Sequence, residues 1–119
     1  MKKLLGIVVL GLLWCNVSYA AISVELYLEA MSRNNEKITS KIEENLMGIN
    51  DGLMYANSEL RSLNKAQLYC QPAKLQLTSK MLVAFLDTEI ESYIDRGIDI
   101  SKVPIGMILL KSFKKLFPC

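Results

Sequence analysis

The residues whose types could do chemistry are few: Cys70, Cys119 and the acids Asp87, Glu91 and Asp95, in a chain that contains no histidine. Without histidine there is no Ser–His or Cys–His pair to activate a nucleophile. Cys70 and Cys119 stand too far apart to form a C-x-x-C redox motif or a locally spaced zinc pair. Asp87, Glu91 and Asp95 recur every fourth residue, which places them on one face of a helix. Acids on an exposed face ordinarily serve solvation, and neither a metal site nor an acid–base pair is read from them. No glycine-rich phosphate loop is present. The chain is expected to bind rather than catalyse, with no cofactor and no metal.

The 119-residue chain is short enough for one domain, and its first twenty residues stand apart from it. Met1-Lys2-Lys3 is a positive start, Leu4 to Trp14 is apolar, and Ser18-Tyr19-Ala20 supplies small residues where a signal peptidase reads. Residues 1–20 are therefore expected to be a cleaved signal peptide. The apolar run falls short of the roughly 20 residues of a membrane span, so no membrane association is expected after cleavage. Lipoprotein processing prefers a small residue before the cysteine, and Trp14 precedes Cys15, so Cys15 leaves with the signal. Removing Lys2 and Lys3 from fourteen basic residues leaves twelve against twelve acidic ones. A neutral domain of residues 21–119 offers nucleic acid no electrostatic hold.

Two cysteines remain, and in an oxidising compartment they are expected to pair as Cys70–Cys119. The bridge closes a loop of about 50 residues, worth on the order of 4 kcal/mol through chain entropy.

Helical periodicity must position everything else. Ala21 to Met31 reads as a short helix capped by Ser23, with Val24, Leu28 and Met31 inward. Ile38, Ile42, Leu46, Ile49, Leu53, Ala56, Leu60 and Leu63 mark one face of a long helix from Asn35 to Gln67. Gly48, Gly52 and Ala56 recur at four-residue spacing within it, which suits close approach of another helix in the same subunit or a homodimer seam. After a turn at Cys70–Lys74, Gln76 to Asp95 reads as a third helix with Leu82, Leu86, Ile90 and Tyr93 inward. Gly97 is placed to end it in a left-handed conformation. Pro104 suits the first turn of a last helix with Ile105, Ile108, Leu109, Ser112, Phe113 and Leu116 on one face. Lys111, Lys114 and Lys115 gather where cations meet the helix dipole favourably, or form a binding patch. The expected fold is all-α, a small disulfide-clasped bundle of about four helices.

Several motifs together resemble the Rap/Tai family of type VI secretion immunity proteins. They are Asp51-Gly52-Leu53-Met54-Tyr55-Ala56-Asn57, Tyr69-Cys70-Gln71-Pro72, a helix beginning near Gln76, Val103-Pro104 and the terminal Phe113-Lys114-Lys115-Leu116-Phe117-Pro118-Cys119. The likeness covers most of residues 21–119 and is strongest from Tyr55 onward. Many relatives carry a second cysteine pair near the start of the domain, which this chain lacks. The resemblance implies a small helical protein of the periplasm, often dimeric, that binds a peptidoglycan amidase effector and occludes its active site with a loop. The connection from Asp95 through Arg96, Gly97, Ile98, Asp99, Ile100, Ser101 and Lys102 is the expected insert, with Asp87 and Glu91 on the helix beside it. The alternative for that segment is a plain connection. The alternative for the protein is an acid-stress chaperone of the HdeA/HdeB kind, which one long-range disulfide in a small helical chain also resembles.

Overall fold

Three of the four helices begin where a short polar side chain can accept a backbone N–H that the helix leaves free. In the computed structural model, which describes residues 21–119, Ser23 Oγ accepts from Leu26 N at 3.2 Å and opens α1 (Val24–Ser32). Asn35 Oδ1 accepts from Lys37 N at 2.9 Å and opens α2 (Glu36–Ser62). Thr78 Oγ1 accepts from Met81 N at 3.2 Å and opens α3 (Ser79–Asp95), three residues later than the apolar pattern suggests. Pro104 is the cap itself rather than a first-turn residue of α4 (Ile105–Leu116). The proposed signal peptide lies outside the described residues.

Left-handed residues end the helices. Asn34 (φ 51°), Asn64 (φ 55°) and Gly97 (φ 71°) each follow a helix C-cap. At Gly97 the N–H bonds Ile94 O at 2.9 Å and the next N–H, of Ile98, reaches Tyr93 O at 3.0 Å, a Schellman closure. Asn64 and Lys65 close α2 the same way on Arg61 O and Leu60 O, five residues short of the expected end at Gln67.

α3 packs against both α2 and α4, and α1 lies against α2. Tyr27, Leu46, Leu82, Leu86, Ile105, Ile108, Leu109 and Phe113 fill the interior. Each large apolar side chain so buried contributes about 1.5–3 kcal/mol before entropy is counted. At one end Tyr69, Phe85, Phe113 and Phe117 pack as an aromatic cluster, with Tyr69 and Phe113 centroids 5.0 Å apart. The Cys70–Cys119 disulfide seals that end, its Cα atoms 4.9 Å apart, and Cys70 N donates to Phe117 O at 2.7 Å. Among the described residues no strand forms, and Ser23 and Pro104 make an isolated antiparallel bridge.

Several faces differ from the expected ones. In α1 the inward residue after Val24 is Tyr27, and Leu28 is exposed. A nine-residue helix is too short for periodicity to choose between those neighbours. In α2 the buried stripe runs Ile42, Leu46, Asn50 and Asn57, so it includes two asparagines that an apolar reading passes over. The burial of Asn57 follows from its partners. Its Nδ2 donates to Tyr69 O at 2.9 Å, and its Oδ1 accepts from Leu68 N at 2.8 Å. Ala56 and Leu63 are exposed. Leu116 is also exposed, and Phe117 takes its place against Phe85 and Phe113.

Gly48 and Gly52 lie exposed, and a Cβ built on either meets nothing within 4 Å. They therefore do not serve helix packing inside the subunit. Gly106 is the glycine that does sit against a neighbouring helix: its Cβ position is 3.6 Å from Ile49 Cγ2.

Candidate interaction surface

The segment after α3 is polar in sequence but firmly held. Ile100 is buried at 7% exposure and anchors it from below. Asp99 Oδ1 accepts the Ser101 N–H at 3.0 Å, a local turn that aspartate side chains favour. That backbone bond, with Lys102 nearby, holds the Asp99 carboxyl below its usual range. The start of α1 then completes the segment. Val24 N donates to Val103 O at 2.9 Å, Glu25 N to Ser101 O at 3.0 Å, and Ile105 N to Ile22 O at 2.8 Å. Free donors at the N-terminus of α1 thus become the fastening of the 96–104 connection. Outside, Lys102 Nζ sits 2.7 Å from Glu25 Oε2, and this bond raises the lysine's pKa.

Between α1 and this connection lies an open groove of about 440 Å³. Val24, Glu25 and Leu28 form one wall; Ile94, Gly97, Ile98, Asp99, Ile100 and Ser101 form the other. Leu28, Ile94 and Ile98 are 43%, 55% and 44% exposed, an apolar patch where scattered single residues would be ordinary.

The expected partner-binding residues separate on this framework. Gly97, Ile98, Asp99, Ile100 and Ser101 line the groove, and Lys102 stands at its rim through Glu25. Asp95 and Glu91 are exposed. The Arg96 guanidinium lies 4.6 Å from the Tyr93 ring centroid, and its Nε donates to Ser92 O. Asp87 does something else. Its Oδ1 accepts the Tyr27 hydroxyl at 2.6 Å, joining α1 to α3. Burial, and then that bond, push the Tyr27 hydroxyl far above its ordinary pKa.

Sequence reasoning missed the α1 wall. The apolar spacing of α1 turns Leu28 inward, whereas it is exposed on the groove. It also missed Glu89, buried at 5% exposure, which Lys115 Nζ approaches at 2.9 Å. One lysine of the Lys111–Lys114–Lys115 group therefore serves an ion pair between α3 and α4.

Polar groups also line a second cleft of about 440 Å³ between the end of α2 and the Cys70 turn. Among the described residues no cluster of metal-binding side chains occurs, and no helix is long and apolar enough to cross a membrane. Comparison of the chain with protein-family models, with curated proteins and with solved structures gives no match.

Proposed function

We propose that the protein is a binding protein of the immunity type, which protects its own cell by occluding a type VI peptidoglycan amidase in the periplasm. The observation that carries this reading is the fastened, largely exposed connection from Arg96 to Lys102. It is anchored by Ile100, closed at Gly97, tied to α1 by backbone hydrogen bonds, and leaves Ile98 and Asp99 exposed. A rigid loop presenting exposed apolar and charged groups loses little entropy on docking, which favours plugging a partner's cleft. The motif resemblance supplies the partner, and the disulfide suits an oxidising compartment.

The test is a pull-down of purified type VI amidases with the secreted protein, followed by assay of the captured enzyme. Capture with loss of amidase activity is expected. Ile98→Glu should weaken the complex at unchanged melting temperature, and Asp99→Ala should weaken it with only the small loss of melting temperature that freeing the Ser101 N–H brings. Capture of none of the amidases removes the reading.

A chaperone that acts in acid is a second reading, favoured by two carboxylates that join helices. Glu89 pairs with Lys115 across α3 and α4, and Asp87 accepts from Tyr27 across α1 and α3. Suppression of client aggregation at about pH 2 would support it.

A further inference from the structure

We propose that the groove between α1 and the 96–102 connection receives an apolar side chain from a partner segment that carries a lysine or arginine beside it. This rests on the binding reading above and specifies the chemistry of what is bound.

The floor and walls are aliphatic, with Leu28, Ile94 and Ile98 substantially exposed. Covering them removes apolar surface from water, which is the main attraction the groove offers. The charged residues lining it are Glu25 and Asp99, both carboxylates, and no basic residue lines it. The rim already shows what this arrangement selects: Lys102 reaches across to place its ammonium 2.7 Å from Glu25 Oε2. That lysine side chain is 84% exposed, so its pairing is the kind that water and salt loosen readily. An incoming cation can take Lys102's place on Glu25 or approach Asp99, whose Oδ1 is already oriented by the Ser101 N–H. A partner bringing acids would meet like charge on both sides of the groove and would be rejected.

Three blocked synthetic peptides titrated into the isotope-labelled protein test this. One has a central leucine flanked by lysines, the second the same leucine flanked by glutamates, and the third a central serine flanked by lysines. The lysine-flanked leucine peptide should shift the amides of Val24, Gly97, Ile98 and Asp99. It should bind about tenfold more tightly than either control, with the margin shrinking as salt is added. Asp99→Lys should abolish the preference for lysine flanks. Equal binding of the lysine- and glutamate-flanked peptides, shifts mapping elsewhere, or no binding of any peptide would overturn the proposal. Amidase capture alongside indifferent peptides would sink this inference alone. A clear charge preference without any amidase capture would sink only the immunity reading.

Discussion

The Tyr27 hydroxyl donates to Asp87 Oδ1 at 2.6 Å, joining residues sixty positions apart and fastening α1 to the middle of α3. Tyr27 is fully buried, while Asp87 sits at the solvent edge. Tyr27→Phe keeps the ring and removes the bond, so a loss of about 1–2 kcal/mol is expected in denaturant unfolding. Asp87→Asn, which retains an acceptor, should cost less. Tyr27→Phe at wild-type stability would show that the bond adds nothing. The tie also has an alkaline limit. The folded-state pKa of Tyr27 is raised, so its contribution is intact below about pH 10, the ordinary tyrosine value, and declines above it.

Asn57 stands in for a length of backbone, giving and accepting one hydrogen bond each with residues 68–69. Asn57→Ala strands the Leu68 N–H and the Tyr69 C=O, and about 2–4 kcal/mol of stability should go with them. Asn57→Asp keeps the acceptor and loses the donor, so it should fall between. A neutral Asn57→Ala would mean that water replaces both bonds.

Gly48 and Gly52 occupy open helix surface at ordinary helical dihedrals. Alanine at either should stabilise the chain by about 0.5–1 kcal/mol, visible as a higher thermal midpoint. If the stripe with Ala56 is instead a seam between two copies, the same substitutions will weaken association in sedimentation runs. Unchanged stability together with unchanged association would contradict both roles.

Loop charge fixes a window of pH. Asp99 has a depressed pKa, so its contribution to the folded loop is present above the ordinary aspartate value of about 3.9 and is lost only as pH falls through a lower one. Lys102 has a raised pKa, so its contribution is present below about 10.4 and is lost as pH rises through a higher value. Amide spectra of residues 97–102 should therefore hold constant from about pH 5 to 9. A titration of Asp99 at or above the ordinary value would refute the turn at Ser101.

Much of the architecture is legible in the chain. Four helices, the cap at Ser23, the left-handed stop at Gly97, the disulfide pair and most of the inner stripes of α3 and α4, Tyr93 and Leu116 excepted, are legible in it. The groove does not. It needs α1 laid beside a connection more than sixty residues later, and helical periodicity carries no information about which elements meet. Asn57 and Glu89 are hidden for a related reason. Each is buried because of a specific partner, and polarity alone places both on the surface.

The bond between Cys70 and Cys119 makes residues 70–119 a covalent ring, with α1 and α2 left as an open arm. The groove straddles that division: Val24, Glu25 and Leu28 belong to the arm, and Ile94 to Ser101 belong to the ring. A sub-global opening that swings α1 away leaves the ring closed and erases the groove. A molecule seated there acts as a clasp between the two parts. Its presence registers as slower hydrogen exchange at the Val24 and Glu25 amides, which hold the arm to Val103 and Ser101.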